Sequence, residues 1–234
     1  MITQDNETKN CLCINQQTHA NLSKQLAEKI TIPLDKKIQQ NLLEACQHHD
    51  DGWSKSDKRV LMNKKLNRPY TFLSIPSKHH LYIWKKTLAY NNQKPTLTQY
   101  FICYHLKYLA EFYEQKKTQN NITKKLISNF ISNCLLQLKK LKKDIKSNHI
   151  SDIELKKCIS ILQFCDELSL RICMDSKQTV TRFLCNNPIK IYRLSRYVYG
   201  LTPYPFCEKL TLKINAFHNK NLKKRTLLYT LKES

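Results

Sequence analysis

Glycine is almost missing from this chain, with 2 residues in 234. Tight hairpins depend on glycine for backbone angles that other residues resist. Its scarcity, beside long segments rich in Leu, Ile, Lys and Gln, predicts a mainly helical protein with few such turns. Acidic residues are also scarce: 18 Asp and Glu stand against 40 Lys and Arg, a formal net charge of +22. That field attracts nucleic acid, anionic membrane surfaces or phosphorylated substrates. The lysines are spread along the chain rather than gathered into an arm, so a solvated helix exterior is the plainer reading of many of them. No apolar run approaches the roughly 18–20 residues that span a bilayer. Met1 to Asn10 is polar and lacks a signal-peptide core. The expectation is a soluble, unanchored, cytoplasmic protein, with export by a signal-independent route as the alternative. No CxxC occurs. Most of the ten cysteines fall inside helical patterns, which predicts reduced, buried thiols.

What the chain does have is a 41 % apolar content, enough for a real core, and one dense stretch, Gln47-His48-His49-Asp50-Asp51-Gly52-Trp53. Helical spacing puts His19, Leu22, Leu26 and Ile30 on one stripe of a first helix. It does the same for Ile38, Leu42, Ala45 and His49 on a second helix, from about Leu34 to Asp51. His49 lies only about 20° from Ile38 around that axis, so the His-Asp pair ends a buried helix and points inward. A long irregular connection from Ser54 to Pro76 follows, carrying Lys58, Arg59 and Arg68. Further helices are expected from Ser77 to about Asn91, with His80 and Trp84 on its stripe, and from about Leu97 to Lys117, with His105 in mid-face. Two more run from about Ile122 to Lys146 and from about Ser151 to Met174. On the last, Asp166 replaces an apolar residue on the stripe of Leu155, Ile159, Leu162 and Cys173. Alternation in Ile189–Tyr199, Leu210–Ile214 and Thr226–Leu231 reads as short strands. The expected architecture is mainly α, a helical bundle with a small C-terminal antiparallel β appendage. It divides into a polar lead-in at 1–14, a metal-binding helical core at 15–178 and a β-rich extension at 179–234.

Five predicted helices thus present His19, His49 with Asp50, His80, His105 and Asp166 inward. Any one of these reads alone as a core residue satisfied by a hydrogen bond. Together they are harder to dismiss, because buried charged or titrating groups are rarely left unpaired. Imidazole and carboxylate donors suit Mn, Fe or Zn, and no cysteine spacing supports a structural zinc clip.

The order His19, His49-Asp50 and a distant Asp166 on separate helices resembles the HD metal-dependent phosphohydrolase superfamily. A closer resemblance is to an uncharacterised bacterial domain-of-unknown-function family with an HD-[N/D]-G-W motif. It runs through Thr18-His19, His49-Asp50-Asp51-Gly52-Trp53, Arg68-Pro69-Tyr70-Thr71-Phe72, His80-Leu81-Tyr82-Ile83-Trp84 and His105. It continues through Asp166-Glu167-Leu168-Ser169-Leu170-Arg171-Ile172-Cys173 and Pro205-Phe206. Asn67 and Tyr204 depart from it, where Gly and Trp are expected. The resemblance implies an HD-like bundle holding one or two divalent ions. His19, His49, Asp50 and Asp166 would bind the first, with His80 and His105 on a second ion or on substrate.

The expected function is hydrolysis of a nucleotide or other phosphate ester by a metal-activated water. Asp50 and Asp51 are the candidate catalytic carboxylates; Asp51 alternatively serves only the helix-end turn. Arg68, Lys58 and Trp53 are candidates to contact substrate, though Trp53 reads first as core. The alternatives are a basic nucleic-acid-binding module without catalysis and an HD-type di-iron oxygenase. Oligomeric state is left open.

Overall fold

The computed structural model describes residues 1–4, 11–58, 61–65, 67–115, 120–146 and 149–233. Arg59, the middle of the expected lead-in and the Lys117 end of the fourth expected helix lie outside the described residues. Strands β1 (Ile2–Gln4) and β2 (Leu12–Ile14) open the chain, followed by helices α1 (Gln16–Lys29) and α2 (Lys36–His48). A 3-10 turn, Asp51–Trp53, leads into the short helix α3 (Ser54–Asp57) and a two-stranded hairpin, β3 (Met62–Asn63) and β4 (Arg68–Pro69). Helices α4 (Ser77–Tyr90), α5 (Thr96–Glu114), α6 (Asn121–Lys146) and α7 (Asp152–Cys173) follow. The chain then runs through β5 (Val180–Leu184), β6 (Asn187–Ser195), β7 (Val198–Thr202), β8 (Leu210–His218) and β9 (Lys224–Glu233).

The expectation of a mainly α protein with a small antiparallel appendage is overturned. Seven strands form one sheet in the order β1-β2-β8-β9-β7-β6-β5. The sheet is mixed, because β7 pairs parallel to β9 while its other pairings are antiparallel. Both ends of the chain build it: Ile2, Ile14 and Cys13 are wholly buried, so residues expected as a polar lead-in form two of its strands. A three-residue strand is too short to show a period of two, which is why composition hid this. The inner face of the sheet is not an add-on. Ile189, Ile191, Tyr199, Ile214, Tyr229 and Leu231 belong to the same continuous core as Leu26, Leu42, Phe101, Leu106, Leu162 and Leu168 from the helices. Each such fully buried side chain contributes about 1.5–3 kcal/mol relative to exposure, so sheet and helices stabilise each other.

The helices follow the apolar stripes closely, and their starts show why. Asp35 accepts from Lys37 N and Ile38 N to cap α2. Ser151 and Glu154 form a capping box on α7. Asn15 makes no side-chain cap on α1; instead Asp57, 41 residues on, accepts from Gln16 N at 2.7 Å. The connection expected to be irregular therefore supplies a cap and a hairpin. Helix α2 ends at His48 rather than Asp51, with the His49 N–H bonded to Ala45 O as its last turn. No described helix is long and apolar enough to cross a membrane.

Candidate metal centre

Asp50 leaves helical geometry, with φ −116° and ψ 17°, and the chain tightens into the 3-10 turn at Asp51. Gly52 makes this turn fit against α4. Its N–H donates to Thr87 Oγ1 at 3.0 Å, and a Cβ built on it would stand 2.1 Å from Ile83 O. Glycine serves here for close approach, since its φ is not positive. Asn91 adds a second tie, donating to the His48 carbonyl at 3.3 Å. The sharp departure swings the Asp50 carboxylate back toward α1, while His49 stays on the buried stripe.

Four elements then converge. His19 from α1, His49 and Asp50 from the end of α2, His105 from α5 and Asp166 from α7 meet in the helical core. His19 Nε2 lies 3.2 Å from His49 Nε2, and Asp166 Oδ1 lies 3.0 Å from the first and 3.2 Å from the second. Asp50 Oδ2 is 3.6 Å from His19 Nε2 and 3.9 Å from His49 Nε2. The other oxygen of Asp166 faces His105 Nε2 at 3.5 Å. The donors make two overlapping groups with metal-binding reach: His19, His49 and Asp50, and His49, His105 and Asp166. The imidazoles are buried, and the two carboxylates keep about a tenth of their side chains exposed, 11 % for Asp50 and 10 % for Asp166.

Hydrogen bonds behind the rings fix which nitrogen carries a proton. Ser169 Oγ–H donates to Asp166 O at 2.8 Å, so toward His19 Nδ1, also at 2.8 Å, it accepts. His19 Nδ1 therefore bears hydrogen. His49 Nδ1–H donates to Cys46 O at 2.8 Å. In the neutral tautomers both Nε2 atoms are lone-pair acceptors aimed at each other and at a carboxylate oxygen, the arrangement a cation relieves. Without an ion, a proton fills that place. Burial works to lower the His49 pKa, yet Asp50 and Asp166 together raise it to about 9. Burial opposes ionisation of Asp166, but hydrogen bonds from His19 and His49 hold its carboxyl well below the usual range. Burial pushes Asp50 upward, partly offset by His49 and His19. His105 is lowered to about 4, mainly by burial, and is neutral. Neither of its ring nitrogens has a hydrogen-bond partner among the described residues.

The remaining candidates stand elsewhere. His80 belongs to neither donor group; its ring packs among Trp84 at 4.6 Å, Tyr113 at 5.2 Å and Trp53 at 5.4 Å between centroids. The stripe of α4 that carries it faces this aromatic layer. Trp53 is buried with Ile75 and Ile83. Asp51 pairs with His48 Nδ1 at 2.9 Å, one turn back. Lys58 is exposed after α3, and Arg68 is exposed on β4 beside a cavity of about 150 Å³ lined by Thr3, Cys11 and Ser74. Sequence reasoning missed Ser169. Its signal was present, because it follows Asp166 by three residues on the same buried stripe, where a hydroxyl reaches the His19 ring that Asp166 also meets.

No curated protein and no solved structure matches the chain. The family model described as protein of unknown function (DUF3891) matches residues 1–219, and the chain belongs to that family.

Proposed function

We propose that this protein is a metal-dependent hydrolase of the HD type, acting on a nucleotide or another phosphate ester. The observation that carries the reading is the pair of Nε2 atoms of His19 and His49, whose Nδ1 atoms are held by Ser169 and the Cys46 carbonyl, 3.2 Å apart and both within 3.2 Å of Asp166 Oδ1. Three lone-pair donors from three helices match the borderline-hard divalent ions Mn, Fe or Zn. A nitrogen has one lone pair, and His49 Nε2 is common to both donor groups, so the reading is of one ion. His19, His49, Asp50 and Asp166 would hold it, with His105 beside Asp166.

Such an ion supplies a Lewis acid and a bound water of lowered pKa. Around it the chain's own residues do the following. Ser169 and the Cys46 carbonyl orient the two imidazoles and keep their Nε2 atoms bare. Asp50, raised by burial and partly open to solvent, takes the proton of the attacking water. His105, neutral and without a hydrogen-bond partner among the described residues, donates an N–H to a substrate oxygen. The positive field of the chain draws in the anionic substrate.

The test is elemental analysis of protein purified without a metal-binding tag and reconstituted with Mn, Fe or Zn, alongside His49→Ala and Asp50→Ala. Near-stoichiometric metal in the native chain, lost in both variants, is expected. Phosphate release from nucleotides and simple phosphate esters should depend on that metal. A native chain that takes up no metal on reconstitution overturns the reading.

A further inference from the structure

The helices cover one face of the seven-stranded sheet. On β8, β9 and β6 the residues that alternate with the buried ones point the other way, toward solvent. On these strands and their neighbours β5 and β7, this outer face carries Lys190, Lys213, Lys224 and Lys232. Between the lysines stand the hydroxyls of Thr181, Thr202, Thr211, Thr226 and Thr230. Among the outward-pointing strand residues described, none is Asp or Glu.

The face has a built centre. In register across three strands lie Tyr192 on β6, Gly200 on β7 and Lys232 on β9. Gly200 is buried although it points outward, and its φ is not positive, so its backbone does not require glycine. The Tyr192 hydroxyl reaches Thr202 Oγ1, on the same strand as Gly200, at 3.4 Å. The ring therefore reaches diagonally from β6 toward β7, and the glycine opposite it in register puts no side chain in its way. Lys190 Nζ stands 5.8 Å from the centroid of that ring. Phe183, 64 % exposed, stands one strand further on, opposite Pro188 in the pairing register, while Thr181 is the partner of Lys190.

A part-exposed aromatic ring between lysines, with no carboxylate among the outward-pointing strand residues described, is what a single-stranded nucleic acid uses: bases stack and phosphates meet cations. We propose that the outer face of the sheet binds single-stranded nucleic acid, with a base on Tyr192 and the flanking phosphates on Lys190 and Lys232. The other basic surface, on α6, suits this less. Its Lys142 is paired with Asp152 at 2.8 Å. The flat face excludes a duplex from the stacking contact, because paired bases do not offer their rings.

The experiment is fluorescence anisotropy with a labelled 12-nucleotide oligouridylate on the full chain, over a range of KCl concentrations. A duplex of equal length and polyglutamate serve as competitors. Tyr192→Ala should weaken binding about 5- to 150-fold, the usual range for one lost base stack, and Tyr192→Phe should retain it. Lys190→Gln with Lys232→Gln should lower the slope of log K against log salt by about 1.4, at about 0.7 per phosphate contact. An unchanged thermal midpoint and far-UV circular dichroism spectrum in each variant verify that the fold persists. Equal affinity of Tyr192→Ala and the native chain overturns the proposal, as does stronger competition by duplex or polyglutamate than by unlabelled oligouridylate.

Discussion

In the metal-free protein, the His49 proton makes stability depend on pH with a definite sign. The unfolded imidazole has its ordinary value of 6.5, and the folded one is raised to about 9 by Asp50 and Asp166 against the cost of burial. A raised folded pKa contributes stability that is fully present below 6.5 and is lost as pH rises through 9. The displacement of about 2.5 units corresponds to about 3–4 kcal/mol at most, at 1.36 kcal/mol per unit, of which about 3 kcal/mol is lost between pH 6 and pH 9.5. For a chain of this size that lowers Tm by about 6–12 °C between pH 6 and pH 9.5. Differential scanning fluorimetry of chelated protein across that window reads the effect directly. The metal-loaded protein should lack the decline, because the ion has already displaced the proton. His49→Gln should lack it as well. A metal-free native chain with a flat profile, or a variant with the same decline, refutes the account of the cluster as a proton-filled cation site.

His105 gives the opposite arm: its folded pKa of about 4 lies below 6.5, so its contribution is present above pH 6.5 and is lost as pH falls toward 4. Urea melts at pH 6.5 and pH 4.5 should show a smaller acid loss in His105→Phe than in the native chain. Gly52→Ala would drive a Cβ to 2.1 Å from Ile83 O and 2.6 Å from Thr87 Oγ1. Overpacking against backbone should cost about 3 kcal/mol or more, read as a lower urea midpoint. Ser169→Ala removes the acceptor that fixes the His19 ring, so metal affinity by competition titration should fall about 10- to 100-fold, while Ser169→Thr should restore most of it.

Much of this was legible in the chain because helices declare themselves over four or five turns. His19, His49, His105 and Asp166 sit at positions where a 3.6-residue period demands an apolar side chain. A periodic stripe identifies the inward face of a helix whatever that face packs against. The same logic found Ser151 as the start of α7 and Gly52 as the end of α2, within a few residues. It did not separate His80 from the other histidines, because facing inward does not say toward which neighbour, and α4 turns its stripe to Trp53, Trp84 and Tyr113. It also misjudged the sheet, whose first two strands are three residues long and acquire meaning only when β2 pairs with β8, about 200 residues away.

The sequence by itself therefore determined the helices, their buried faces and the residue types offered to the interior, since these depend on neighbours a few positions apart. Tertiary structure alone decided that His19 and His49 meet at 3.2 Å with Asp166 between them, and that Asp50 turns in while Asp51 turns back to His48. It also decided that Tyr192 reaches Thr202 across the outer face of the sheet. Those outcomes rest on contacts between residues from 10 to 150 positions apart, or on a single departure from helical φ and ψ at Asp50, and neither leaves a periodic trace along the chain.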